Sequence, residues 1–178
     1  VHNNLGIIFN ELEDFELALN SYKMAISIDQ DYSEAHNNLG NLFKSLGRPY
    51  EAVKSYQKSL MFKQDNAEAH NELGITLMYL GKLDAAIKSY EEAICINPVH
   101  EEFYNNLGIA FNMSGQFEEA LKSLNQALSI KQDYAEAFLN LGNLMLDFNQ
   151  LDKAVMNYTY AYDLKPKLNF LFGDLLHT

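Results

Sequence analysis

The chain has 178 residues and a net charge of −11, from 13 Lys plus Arg against 24 Asp plus Glu. Apolar residues make up 48%, too many for a disordered chain, and length alone predicts one domain at roughly 150 residues each. The acidic balance argues against a nucleic-acid partner, which needs clustered Lys and Arg, and against docking on an anionic membrane. No apolar run reaches the ~18 residues that a membrane span requires.

Val1-His2-Asn3-Asn4 has neither the basic nor the apolar stretch of a signal peptide. The chain begins without Met and starts inside a pattern, so it is expected to be a piece of a longer protein. Cys95 stands alone, which rules out an internal disulfide and fits a reducing compartment. The cytoplasm is the expected location.

The predicted elements repeat. Leu5, Leu39, Leu73, Leu107 and Leu141 are spaced 34 residues apart, each followed by Gly and four of them preceded by Asn. With that Leu at position 7, the units are 1–32 (incomplete at its start), 33–66, 67–100, 101–134 and 135–168. Each opens with a helical face at positions 4, 7, 8 and 11. In the second unit these are His36, Leu39, Gly40 and Phe43; in the fourth, Tyr104, Leu107, Gly108 and Phe111. Gly47, Gly81 and Gly115, and Asn149 in the last unit, stand at position 15, where a helix ends on a residue of positive φ. A second helix follows, with a face at positions 20, 24, 27 and 28, such as Ala86, Tyr90, Ala93 and Ile94. Position 20 is Ala in every unit, and with Gly at position 8 it lets the two helices approach closely. Pro98 and Pro166 at position 32 stop the second helix; where Gln30, Gln64 and Gln132 stand instead, a softer boundary is expected. Residues 169–178, with Phe170, Leu171, Phe172, Leu175 and Leu176, read as the start of a capping or next-repeat helix.

Five in-register copies of Leu-Gly and Ala at these places resemble the tetratricopeptide repeat, whose pattern is W-x₂-L-G-x₂-Y…A-x₃-F…P. His2, His36, His70, Tyr104 and Phe138 fill the Trp place. The resemblance implies an all-α fold, a right-handed α-solenoid (superhelix) of helix–turn–helix hairpins. First helices would line the concave side, with positions 2, 5, 6, 9, 12 and 13 facing the groove.

Those positions hold two ladders. One is of amides: Asn3, Asn37, Asn71 and Asn105 at position 5, with Leu139 in the last unit; Asn4, Asn38, Asn106 and Asn140 at position 6, with Glu72 in the third unit; Asn41 and Asn143 at position 9. The other is of carboxylates at position 2: Glu34, Glu68, Glu102 and Glu136. An amide offers both a donor and an acceptor, which suits the backbone of an extended peptide. In units two to five Glu34, Glu68, Glu72, Glu102, Glu136 and Asp147 face one base, Lys44, favouring a neutral-to-basic polypeptide. The glutamates also begin helices, where a carboxylate meets the dipole favourably. Asn is a poor helix former, so its recurrence asks for another reason.

The position-4 histidines fall one per repeat, too far apart to share a metal, and are expected as core rings in place of Trp. Cys95, beside Ile94 and Ile96, is expected to be buried. No catalytic constellation, cofactor motif or phosphate loop is present, so no turnover is expected from residues 1–178. Phe170 to Thr178 and the Asn-rich first helices are also similar to the repeat arm of bacterial O-linked N-acetylglucosamine transferase and SPINDLY-like proteins. That narrower resemblance implies a substrate-presenting arm with a catalytic domain beyond Thr178. A third expectation is self-association through the exposed ends of the solenoid, giving a homo-oligomer.

Overall fold

A computed structural model describes residues 1–166, which form ten α-helices and no strand among the described residues. They are α1 (His2–Glu11), α2 (Phe15–Ile28), α3 (Ser33–Ser45), α4 (Pro49–Phe62), α5 (Ala67–Tyr79), α6 (Leu83–Ile96), α7 (Glu101–Met113), α8 (Phe117–Ile130), α9 (Ala135–Asp147) and α10 (Leu151–Leu164). The fold is all-α, of the helical solenoid class. It divides into two units, the first ending at Pro98 and the second beginning at Val99.

Each odd-numbered helix packs on the next in the chain, and one seam does most of this. The ring of Tyr22, Tyr56 or Tyr90 lies flat on Gly6, Gly40 or Gly74, and a methyl group on any of these glycines would sit 2.5–2.6 Å from the ring. All three tyrosines are fully buried, worth roughly 2–3 kcal/mol each. In the second unit Leu124 plays the same part against Gly108. Glycine at position 8 is therefore required by the residue at position 24, beyond any preference for close helix approach.

The turn after each first helix is the same five times over. Asp14, Arg48, Lys82, Gln116 and Gln150 donate their N–H to Phe9, Phe43, Leu77, Phe111 and Met145, at 2.8–2.9 Å. The preceding residue has positive φ in all five: Gly47, Gly81, Gly115, Asn149 (54°) and Glu13 (59°). This is the C-terminal motif in which the chain reverses through one left-handed residue. Glu13, which carries no such signal in the sequence, bears the strain.

Two expectations are corrected. Second helices end at the same position whether or not a proline follows: Ile28, Phe62 and Ile130 match Ile96 and Leu164. The stop is tertiary, because the chain must turn there to stack the next hairpin. At that junction Ser33 Oγ donates to the Ser59 carbonyl at 3.0 Å, and the His36 ring stacks on Phe62. Cys95 is exposed, since position 29 lies on the outer side of α6 while Ala93 faces inward. The expectation for residues 169–178 falls outside the described residues.

In the first unit α1 touches α3 and α3 touches α5, whereas α2 and α4, like α4 and α6, do not touch. Within this unit the stack is tighter on the first-helix side. In the second unit α7 likewise touches α9 while α8 and α10 stay apart, over a core of Ala120, Leu124, Leu141, Leu144, Met145 and Ala154.

Candidate polypeptide-binding face

The first-helix amides are wired to one another. In the first unit Asn3, only 1% exposed, donates its Nδ2 to Glu34 Oε1 at 3.0 Å. Its Oδ1 accepts from Asn38 Nδ2, also at 3.0 Å. Chemistry fixes the direction: an ionised carboxylate can only accept, so Asn3 must turn its NH₂ to Glu34 and its oxygen to Asn38. Asn38 thus engages Asn3 through its NH₂ and keeps its Oδ1 out of that bond. The second unit repeats the last step, with Asn140 Nδ2 donating to Asn105 Oδ1 at 2.8 Å.

Position 9 is wired the other way. Tyr56 Oη donates to Asn41 Oδ1 at 2.7 Å, and Tyr158 Oη donates to Asn143 Oδ1 at 2.8 Å. Burial, with the Glu72 charge adding to it, pushes the Tyr56 phenol up, and burial with the Asp147 charge does so for Tyr158. Both hydroxyls remain donors, so they engage the Oδ1 atoms of Asn41 and Asn143 and not their NH₂ groups. On each of α3 and α9, one amide thus keeps its acceptor and another, three residues on, keeps its donor.

The other expected site residues divide by burial. Asn71 and Asn105, 1% and 5% exposed, sit inside the first-helix layer. Asn37, Asn106, Glu72 and Glu136 are half-buried, and Asn4, Glu34, Glu68 and Glu102 are exposed. Position 2 is engaged in more than one way: Glu34 by Asn3, Glu136 by Lys165 Nζ at 2.6 Å. Burial raises the Glu136 pKa, but the Lys165 ammonium and the residue's own backbone N–H outweigh it and leave the carboxyl below its ordinary value. Side chains at position 12 also bridge repeats, Asn112 Nδ2 to Asp147 Oδ2 at 3.0 Å and the Lys44 ammonium to Glu72.

Asn3 and Lys44, which the sequence places at positions 5 and 12 of this face, both bond to the next repeat. Sequence reasoning passed over Tyr79, which is 80% exposed at position 13 of α5. The position-4 histidines serve the scaffold: His36 and His70 pair through Nε2 with the Gln30 and Gln64 carbonyls at 3.0 and 3.1 Å. His36 is buried, and His2 and His70 are half-buried. No helix among the described residues is long and apolar enough to cross a membrane.

Paired helices stacked about a glycine–tyrosine seam, with a polar ladder on the first-helix side, define a repeat solenoid. Family models agree: the one described as "TPR repeat" matches residues 6–47 and 110–147, and "Tetratricopeptide repeat" matches 33–66 and 67–100. The chain belongs to the tetratricopeptide repeat family.

Among solved structures, a crystal structure of MamA is 26% identical, covers 92% of this chain and 96% of its own, and superimposes with a TM-score of 0.84. MamA 41-end from Desulfovibrio magneticus RS-1, at 18% identity, covers 94% and 95% with a TM-score of 0.86. YrrB, described as a TPR protein with an unusual peptide-binding site, is 23% identical over 93% of this chain and 85% of its own, with a TM-score of 0.80. Against the curated proteins no match was found. These matches lend no support to the narrower resemblance to a glycosyltransferase arm, and the tail that carries it lies outside the described residues.

Proposed function

We propose that this chain is a protein-interaction scaffold that holds an extended polypeptide along its first-helix face. The observation that carries this is the orientation of the amides. Asn38 presents an acceptor and Asn41 a donor, and Asn140 and Asn143 repeat the arrangement in the second unit. One residue of an extended strand exposes an N–H and a C=O along one edge, which is the complement of such a pair. Contacts of this kind hold a backbone without reading its side chains. The flanking carboxylates Glu34, Glu68, Glu102 and Glu136 then favour neutral-to-basic sequences through a screened field.

Asn41→Ile with Asn143→Ile tests the reading. Ile7, Ile75 and Ile109 hold position 9 in the other repeats, so the scaffold tolerates the change. Capture of unstructured peptides is expected to fall at least tenfold with helicity unchanged. Replacing Asn38, Asn106 and Asn140 by Ala should have a similar effect. Undiminished capture by both variants rejects the reading.

A second reading, self-association through a solenoid end, is favoured by α1, where Leu5, Ile8 and Leu12 leave an apolar stripe 38–70% exposed. Light scattering over a concentration series checks it: a strict monomer throughout dismisses it.

A further inference from the structure

The third repeat breaks the wiring just described. At the second-to-third junction, the place of Asn38 is taken by Glu72 and the place of Asn3 by Asn37. A carboxylate cannot donate, so the acceptor that Asn38 satisfies in the preceding junction goes unsatisfied here. Asn37 Oδ1 is buried and has no hydrogen-bond partner. Leaving a buried amide oxygen unpaired costs stability, and an Asn at residue 72 would remove the defect. Glu72 instead pairs with the Lys44 ammonium from the neighbouring helix, at a site where both side chains keep contact with water. A surface lysine on a long flexible stem is a weakly held partner.

We propose that Glu72 reads a cationic side chain of the bound polypeptide, and that Lys44 is the placeholder this side chain displaces. The proposal rests on the groove reading above and deepens it. The amide pairs hold the backbone anywhere along the face, whereas this one position sets the register by requiring Lys or Arg. An ammonium or guanidinium brings several N–H donors, enough for both oxygens of the carboxylate. Lys44 covers the carboxylate when no ligand is present, so neutral sequences gain nothing there and basic ones gain only by exchange.

The probes are short unstructured peptides of Ser, Ala and Gln carrying one Lys, and the same peptides with that residue as acetyl-lysine. Binding is measured by isothermal titration or by chemical-shift changes in labelled protein. The parent protein should prefer the Lys peptide. Glu72→Asn should raise the melting temperature, because Asn37 regains its donor, and should cut the preference for the Lys peptide over the acetyl-lysine peptide about fivefold. Lys44→Met should act in the opposite direction and tighten the Lys peptide several-fold, an effect that a purely structural role for the Lys44–Glu72 pair does not produce. A lysine preference that survives Glu72→Asn, or weaker binding after Lys44→Met, overturns this proposal alone. A parent protein that binds none of the peptides overturns the groove reading and this proposal with it.

Discussion

The two junctions of the first unit use the same positions with opposite outcomes. Between the first and second repeats, Asn38 donates to Asn3 and Asn3 donates to Glu34, so both ends of the Asn3 amide are paired. Between the second and third, Glu72 stands at the place of Asn38 and the buried Asn37 Oδ1 has no partner. The backbone and the seams are alike in both, since Tyr56 on Gly40 and Tyr90 on Gly74 pack as Tyr22 does on Gly6. The lesson is a separation of duties. Architecture comes from what repeats, and a costly departure inside an unchanged frame marks a place where something other than stability is served.

The largest expected effect removes the frame that both junctions share. Tyr56→Ala empties the seam on Gly40 and deletes the donor to Asn41, and it should cost about 3–5 kcal/mol by denaturant unfolding. A small loss would mean that the seam does not organise the hairpin.

The next effect separates the junctions. Asn3→Ala strips Glu34 and Asn38 of a partner and should cost about 1–3 kcal/mol. Asn37→Ala removes an amide whose oxygen is already unpaired, so its cost should be clearly smaller. Equal losses in the two variants would erase the distinction drawn here.

Glu13 sharpens the comparison as an exception without a binding role. It holds a left-handed φ of 59° where three other repeats have Gly. Glu13→Gly should stabilise the chain by about 1 kcal/mol in a thermal melt and leave peptide binding untouched.

The smallest effect concerns position 2 under acid. The folded Glu136 pKa is depressed, so its pairing with Lys165 stabilises the fold above the ordinary carboxylate range. That contribution fades as the pH falls through the folded value. Lys165→Met should remove ~0.5 kcal/mol at neutral pH and flatten this part of the acid profile. Glu34 is held by a neutral amide, so its junction should keep no such dependence on a lysine.

The period of 34 and the helix pairs were legible in the sequence, because Leu5 to Leu141 recur without a single insertion. The direction of the amides was not. Asn3 and Asn38 look interchangeable as letters, and only the stacking of one repeat on the next shows that one amide buries both its groups while the other spends a donor. The same limit applies to Glu72, which reads as a gap in a series until the orphaned oxygen behind it is seen. Glu13 and Cys95 were hidden for a simpler reason: a turn shared by five repeats imposes its φ on whatever residue occupies it, and one step of 100° along a helix turns a side chain from core to solvent.

The central claim is that outward-turned amides on the first helices hold an extended polypeptide. The most direct measurement follows the side-chain NH₂ signals of Asn41 and Asn143 by NMR as a Lys-bearing unstructured peptide is added. These signals should shift progressively, while backbone signals of the second helices α4 and α10 stay still. Unmoved Asn41 and Asn143 signals, with shifts appearing on the second helices, would contradict it.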